Sequence, residues 1–282
     1  AQNIDQPDEV IYMKLLKECY SPHRYSRPIL GDKKTVENIT PKQMRLFHEN
    51  HYLGKNCALC IAGEVPKGID SIINNSKLNQ LKKIEEKINT NSEIAFNNGY
   101  KEEVIPRLEG GRILKAWKLP PAQDQLIILG VEITATILGE GKNSIIVKKL
   151  REEKRIIESI EIDLQILENG GLILLDASCP LDNLKIAEAE INNILNESIQ
   201  TLFTSKDLDR AKKLVKNNIY FGLELSTQIA STLGNQALWG RHPSISKIIK
   251  DMSYWTSKSL NELILPLFNP ETSFTLIAEP EK

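Results

Sequence analysis

The chain has 282 residues, 36 of them basic and 37 acidic, for a formal net charge of −1. That balance excludes the electrostatic footprint of a nucleic-acid binder or of a protein held on an anionic membrane, and no apolar run is long enough to span a bilayer. The length leaves room for more than one domain, and four cysteines are too few for a disulfide framework.

The sequence opens at Ala1 with no secretory signal, which reads as a processed or truncated protein, soluble and cytoplasmic. Asp5-Gln6-Pro7-Asp8-Glu9 starts a helix with acidic residues in its first turn, and Ile11, Leu15, Leu16 and Cys19 fall on one face. Pro28 forces Arg27 into an extended conformation, and Gly31 supplies a turn. Thr40-Pro41-Lys42-Gln43 is a capping box with proline at the first helical position. Met44, Phe47 and His51 then recur at helical spacing and predict one buried face. Asn56–Gly63 reads as a short apolar strand. It contains Cys57 and Cys60, whose spacing sends them to opposite faces of a strand and predicts buried thiols, not a metal or redox pair. His48 and His51 neighbour one another on the helix, but two imidazoles make a poor metal site, and a structural role is expected. Leu78–Ile88 predicts an amphipathic stretch with a basic outer face, and the polar residues 89–100 a connector.

Beyond the connector, Gly110-Gly111-Arg112 opens a strand that Pro120-Pro121 ends. Asp124–Leu138 is long enough to favour a buried helix over a strand. The run Gly139-Glu140-Gly141-Lys142-Asn143-Ser144 is not a phosphate loop, because Asn143 follows the lysine where serine or threonine is needed, and no glycine stands at the first position of the motif. A tight turn between helices is expected there instead. Ile156–Leu167 and Gly171–Ser178 flank Asn169-Gly170 as a hairpin. Asp182 is expected to cap a helix whose inner face includes Leu184, Ala187, Ile191, Ile194, Leu195 and Leu202. Ser205 starts another helix, with the helical pattern continuing to about Leu233. Trp239-Gly240-Arg241-His242-Pro243 interrupts it, with His242 as a turn residue. A last helix begins at Ser257, and Phe274–Ala278 forms a closing strand. The order from Gly110 predicts a mostly antiparallel sheet with helices packed on one face.

Several stretches together resemble the insulinase/pitrilysin family of zinc metallopeptidases, which includes the mitochondrial processing peptidase. His23, Tyr25, Arg27–Leu30 and Gly31 match "H-x-Y-x-R-P-I-x-G". Ile39, Thr40, Phe47, Tyr52, Asn56 and Gly63 continue the pattern. Asp124, Leu138, Gly139, Gly141, Ser144, Leu150, Arg151, Glu152 and Glu153 match "D-x-x-A-L…L-G-x-G" and "S-x-L-x-x-x-L-R-E-E", the most specific block. Ser205–Lys212 resembles "T-x-E-E-L-x-R-A-K".

The resemblance implies an α+β metallopeptidase-homology fold. Residues 1–95 would be the C-terminal part of an incomplete first domain, and residues 96–282 a complete second one. It also implies peptide-bond hydrolysis by zinc-activated water in the full-length protein, held there by an H-x-x-E-H helix and a later glutamate. The four histidines here, 23, 48, 51 and 242, supply no such motif. No catalytic or metal-binding residue is therefore expected in this chain, no zinc is expected on it, and it is not expected to cleave alone. The alternative is a non-catalytic structural or substrate-holding subunit of an active homologue. Implied partners are a peptide or unfolded polypeptide and a homologous subunit in a homo- or heterodimer, with no nucleic acid and no membrane. Arg151 is the one implied substrate-binding residue. In the family an arginine and a tyrosine in "L-R-x-x-x-x-x-x-Y" reach toward the bound peptide; this chain keeps Leu150-Arg151 and has Glu158 in the tyrosine's place.

Overall fold

The computed structural model describes residues 6–81, 94–241 and 245–281. They fall into two compact units: residues 1–28, 93–216 and 248–282, and residues 29–92 and 217–247. Residues 82–88 of the stretch read as basic, residues 89–93 of the connector, and His242 lie outside the described residues. The described end of the connector is structured, not a loose link: Ile94 is buried, Asn97 donates its side-chain amide to the Glu18 and Ser21 carbonyls, and Gly99 and Tyr100 open a strand.

The helices are α1 (Pro7–Tyr20), α2 (Lys33–Glu37), α3 (Pro41–His51), α4 (Ile69–Asn74), α5 (Gln125–Gly139), α6 (Leu184–Gln200), α7 (Ser205–Phe221), α8 (Ser226–Leu238), α9 (Ile245–Asp251) and α10 (Ser257–Leu263). The strands are β1 (Gly99–Ile105), β2 (Gly111–Leu119), β3 (Ser159–Gln165), β4 (Gly171–Cys179) and β5 (Phe274–Pro280). They form a sheet in the order β1-β5-β2-β4-β3, antiparallel except for the β1–β5 pair. The α+β reading, with a mostly antiparallel sheet, holds.

The sheet organises the first unit. Because residues alternate faces along a strand, Ile113, Lys115, Trp117 and Leu119 of β2 point one way, beside Ile173 and Leu175 of β4 and Thr275 and Ile277 of β5. That face meets the helices of the second half: Gly111 lies under Leu184 of α6, and Gly139 at the end of α5 lies against Ile162 of β3. Trp117 donates its indole N–H to the Asn269 carbonyl at 2.8 Å and packs on Phe268. The other face carries Leu114, Ala116, Leu172, Phe274, Leu276 and Ala278, which close a core with Ile11, Leu15, Cys19 and Tyr20 of α1. Arg112 fixes that end, pairing with Asp176 on β4 and with Asp8 of α1 at 3.2 Å. In this apolar setting burial pushes the Cys19 thiol up to about 12.

Strand β1 is absent from the sequence reading, and its chemistry explains why. Tyr100, Glu102 and Val104 are exposed on an edge strand, so no apolar alternation marks it. Its other face is held to α1 by charge. Lys14 bonds Glu103 at 2.5 Å, and Lys101 bonds Glu18 at 2.8 Å and Glu103 at 2.7 Å.

Local expectations fare unevenly. Thr40 makes its capping box with Gln43, Arg27 is extended, and Gly31 has φ +67°. Asp182 does not cap α6: it sits in a short 3₁₀ turn, and the helix starts after Asn183 without a side-chain cap. Leu202 follows the helix and is exposed. The long helical pattern after Ser205 is broken at Gly222–Leu225, between α7 and α8.

The larger corrections fall in the second unit. The stretch Asn56–Gly63 is not a strand, and Asn56 ends a 3₁₀ turn. Cys57 has extended angles (φ −119°, ψ 141°), but no ladder partner lies alongside among the described residues, and a strand exists only by pairing. Cys57 is exposed and Cys60 half-buried, so neither is a buried thiol. The face of α3 read as buried is open: Met44 is 63% and Phe47 59% exposed. The stripe is real in the sequence, but nothing described covers it.

Two outcomes follow for stability. A Cβ added to Gly130 on α5 would stand 2.6 Å from Trp255 Cζ2 and 2.9 Å from Ile264 Cδ1, while the Trp255 indole N–H is anchored on the Leu126 carbonyl at 3.2 Å. Gly130→Ala should therefore destabilise by about 1–3 kcal/mol despite alanine's better helix propensity, read by urea unfolding. Glu132 on α5 has its carboxyl pushed up to about 7, chiefly by burial and further by Glu140. The folded state then binds the proton more tightly than the unfolded chain, so this group makes stability fall as pH rises from the ordinary carboxyl value through about 7. Glu132→Gln should raise stability at pH 8 by on the order of 2 kcal/mol and change little at pH 4. Equal effects at both pH values would refute the assignment.

Candidate functional site

The block centred on Arg151 is built from its buried residues outward. Ser144 is fully buried, with its hydroxyl on the Gly141 carbonyl at 2.7 Å. Gly141 has φ +79°, the left-handed conformation that turns the chain out of α5. Gly139, expected to serve the same turn, serves the sheet instead: a Cβ there would stand 2.9 Å from Ile162 Cγ1. Arg210 of α7 donates to the carbonyls of Glu140 at 2.9 Å and Thr136 at 3.1 Å, so it caps the end of α5. The arginine of the "R-A-K" match is thus a helix-capping residue.

From Val147 to Glu153 the backbone is a π-helix, with Lys154 N–H donating to the Lys149 carbonyl at 3.0 Å. The wider turn inserts an extra residue, a feature that recurs at functional sites. Ile146, Val147 and Leu150 are buried anchors. Lys149–Glu197 at 2.7 Å and Lys154–Glu190 at 2.5 Å tie the segment to α6. Arg155, with φ +53°, ends it in a conformation unfavourable for a bulky side chain.

Arg151 is displayed by this platform with 42% of its side chain exposed. Its guanidinium donates twice to Glu152 Oε1, at 2.8 and 2.9 Å. The acid expected beside it, Glu153, lies instead near Lys148 at 3.9 Å. Glu158 is exposed just before β3, its backbone N–H on the Ser178 carbonyl at 2.9 Å. An ionised carboxylate there accepts hydrogen bonds and donates none.

The other sequence candidates do not assemble into a centre. His51 packs on Phe47 with centroids 4.3 Å apart, and His48 stacks on Tyr52 at 4.4 Å and 18°. Among the described residues no three His, Cys, Asp or Glu side chains converge as metal ligands. This donor set does not fit a catalytic zinc, which takes three protein ligands around an open position. Among the described residues no helix is long and apolar enough to cross a membrane. The sequence reading missed a polar cleft on the sheet, around Lys115; its signal was a lysine in the middle of an otherwise apolar strand.

Comparison with known proteins places this architecture. A family model described as the peptidase M16 inactive domain matches residues 38–215. The chain is 22% identical to the uncharacterized zinc protease YmxG of Bacillus subtilis over 97% of its own length and 66% of that protein's. It superposes on the crystal structure of a protease from Helicobacter pylori with a TM-score of 0.82 at 16% identity, covering 98% of this chain and 67% of the other. A peptidase M16 inactive domain from Pseudomonas fluorescens gives 0.80 at 16% identity, over 98% and 66% of the two chains. The chain spans 66% of the length of the first curated relatives it matches. With the family model covering more than half of it, this chain belongs to the peptidase M16 family, matching its inactive domain.

Proposed function

We propose that this chain is the part of a zinc metalloendopeptidase of the M16 family that lies downstream of the metal motif, and that it contributes structure and substrate contact, not the metal-bound water. The match of residues 38–215 to the inactive domain carries this reading, and the name zinc protease on relatives aligned along most of the chain supports it. In this proposal residues 1–95 are the C-terminal part of a first homology domain and residues 96–282 a complete second. The open apolar surface of the second compact unit favours the first half of that statement. Ile29 is 95%, Leu30 70%, Met44 63% and Phe47 59% exposed, large apolar side chains of the kind that a contact surface leaves open to water.

In the full-length protein zinc would activate water for hydrolysis; the described residues here do not fit it. What this chain would supply is the Arg151 guanidinium, a rigid two-pronged donor suited to peptide carbonyls or carboxylates. Glu158 cannot donate to a developing oxyanion, so the missing hydroxyl would come from a homologous subunit in a homo- or heterodimer acting on a peptide or unfolded polypeptide. The same glutamate also favours the second reading, a non-catalytic partner subunit. Zinc content of the full-length protein separates the two.

Purified as given, the chain should keep no stoichiometric zinc after dialysis and should cleave no quenched fluorescent peptide. One tightly bound zinc per chain, or full activity without a partner, overturns the proposal. In an assembly with a metal-bearing homologue, Arg151→Ala should raise KM with little change in kcat and lower kcat/KM roughly tenfold, about 1.4 kcal/mol. Thermal unfolding should shift little, because Arg151 is exposed and its ion pair is with its neighbour Glu152.

A further inference from the structure

On the α6 face of the sheet, Lys115 interrupts an apolar row. Ile113, Trp117 and Leu119 are buried there, and Lys115 is buried as deeply, at 1% exposed. Its Nζ lies 2.5 Å from Thr275 Oγ1 and 3.4 Å from Glu188 Oε1. Burial lowers its pKa and Glu188 opposes that shift. In the register of the sheet Tyr100 stands beside Thr275 and Thr275 beside Lys115, so three neighbouring strands place polar side chains in one row. On α6, Asn192 is one turn beyond Glu188 and donates its Nδ2 to Glu188 Oε1 at 2.5 Å. These groups, with Asn98, Ser273 and Glu271, line an open cleft of about 370 Å³.

Several donors of this cleft are already engaged. Lys115 is taken by Thr275 and Glu188. The Ser273 hydroxyl donates to the Pro270 carbonyl at 2.7 Å, and the Tyr100 hydroxyl to Glu102 at 2.8 Å. Acceptors remain in excess. Among the described residues Asn192 Oδ1 is buried with no partner, and the cleft is lined by two acidic residues, Glu188 and Glu271, against one basic residue, Lys115. A buried carbonyl oxygen left without a donor costs about 1–3 kcal/mol. A ligand that brings several N–H donors and a positive charge satisfies both deficits, through charge-assisted bonds to the carboxylates. An anion meets the opposite field. Tyr100, 58% exposed on the edge strand, offers a ring beside the opening for an alkyl stem or cation to lie against.

We propose that this cleft binds an organic cation, a primary ammonium or guanidinium on an alkyl stem, as at the tip of a lysine or arginine side chain, with its N–H groups on Asn192 Oδ1 and on the Glu188 and Glu271 carboxylates. The test is an NMR titration of the isotope-labelled chain with three probes: Nα-acetyl-lysinamide, Nα-acetyl-argininamide and the uncharged Nα-acetyl-norleucinamide. At least one cationic probe should shift resonances of the lining residues and saturate with a Kd on the order of 1 mM, and the norleucine probe should not. The probe that saturates identifies the head group. Asn192→Leu and Glu271→Gln should each weaken binding about fivefold or more. Glu271 is exposed, so its substitution keeps the test open if Asn192→Leu does not fold. Equal binding of the norleucine probe, cationic probes that leave the lining unmoved, or a folded Glu271→Gln chain with unchanged affinity would each overturn the proposal. No hydrolysis is read, so the outcome is separate from the peptidase reading above.

Discussion

Strand β2 is buried on both faces, and the rest of the first unit depends on that. Its alternate residues must satisfy two different partners: Leu114 and Ala116 meet the α1 core, while Ile113, Trp117 and Leu119 meet the helices of the second half. It pairs with β4 over nine residues and with β5 over five, so its hydrogen bonds join the hairpin to the last strand of the chain. A one-residue slip would exchange the two faces and send Arg112, now bonded to Asp176 and Asp8, into an apolar layer. Helix α1, nearly a hundred residues upstream in sequence, is thereby fixed on a sheet built by the second half.

What could be read from the sequence was whatever local chemistry determines by itself. The capping box at Thr40, the turn at Gly31, the helix after Asp124 and the hairpin around Asn169-Gly170 depend on a few adjacent residues, and all of them are present. Burial is different, because it depends on what lies opposite. The apolar spacing of Met44, Phe47 and His51 describes a stripe, and a stripe carries no information on whether another element covers it. Asn56–Gly63 failed for the same reason: an apolar extended segment is a strand only when a neighbour pairs with it. Strand β1 failed in the opposite sense. Its partner β5 lies 175 residues further along the chain, and its own charges, Lys101 and Glu103, are matched by Lys14 and Glu18 on α1.

The resemblance to the peptidase family was legible because its motifs are mostly framework. In the two adjoining matched blocks, Ser144 and Leu150 are buried, Gly141 needs its left-handed φ, and Gly139 needs the space against Ile162. Arg210 caps α5. Such residues are constrained by packing whatever the chemistry, so they identify a fold without deciding an activity. Arg151, Glu152 and Glu153 are displayed, on a π-helix that sequence spacing cannot distinguish from an α-helix.

Lys115 shows where packing alone stops explaining a residue. A buried ion pair gains little over apolar side chains of similar volume, because desolvation offsets most of the attraction. Leucine or methionine in the row with Ile113 and Trp117 would serve the sheet at least as well. The lysine does something an apolar residue cannot: it holds Thr275 Oγ1 and Glu188 Oε1 in fixed positions, while Asn192 bonds the same carboxylate oxygen. Glu188 is therefore oriented from two sides, with 22% of its side chain still exposed toward the cleft. Orienting a carboxylate this way and leaving a neighbouring amide oxygen unpaired costs stability on both counts. The combination favours a surface arranged for contact over one arranged only for folding.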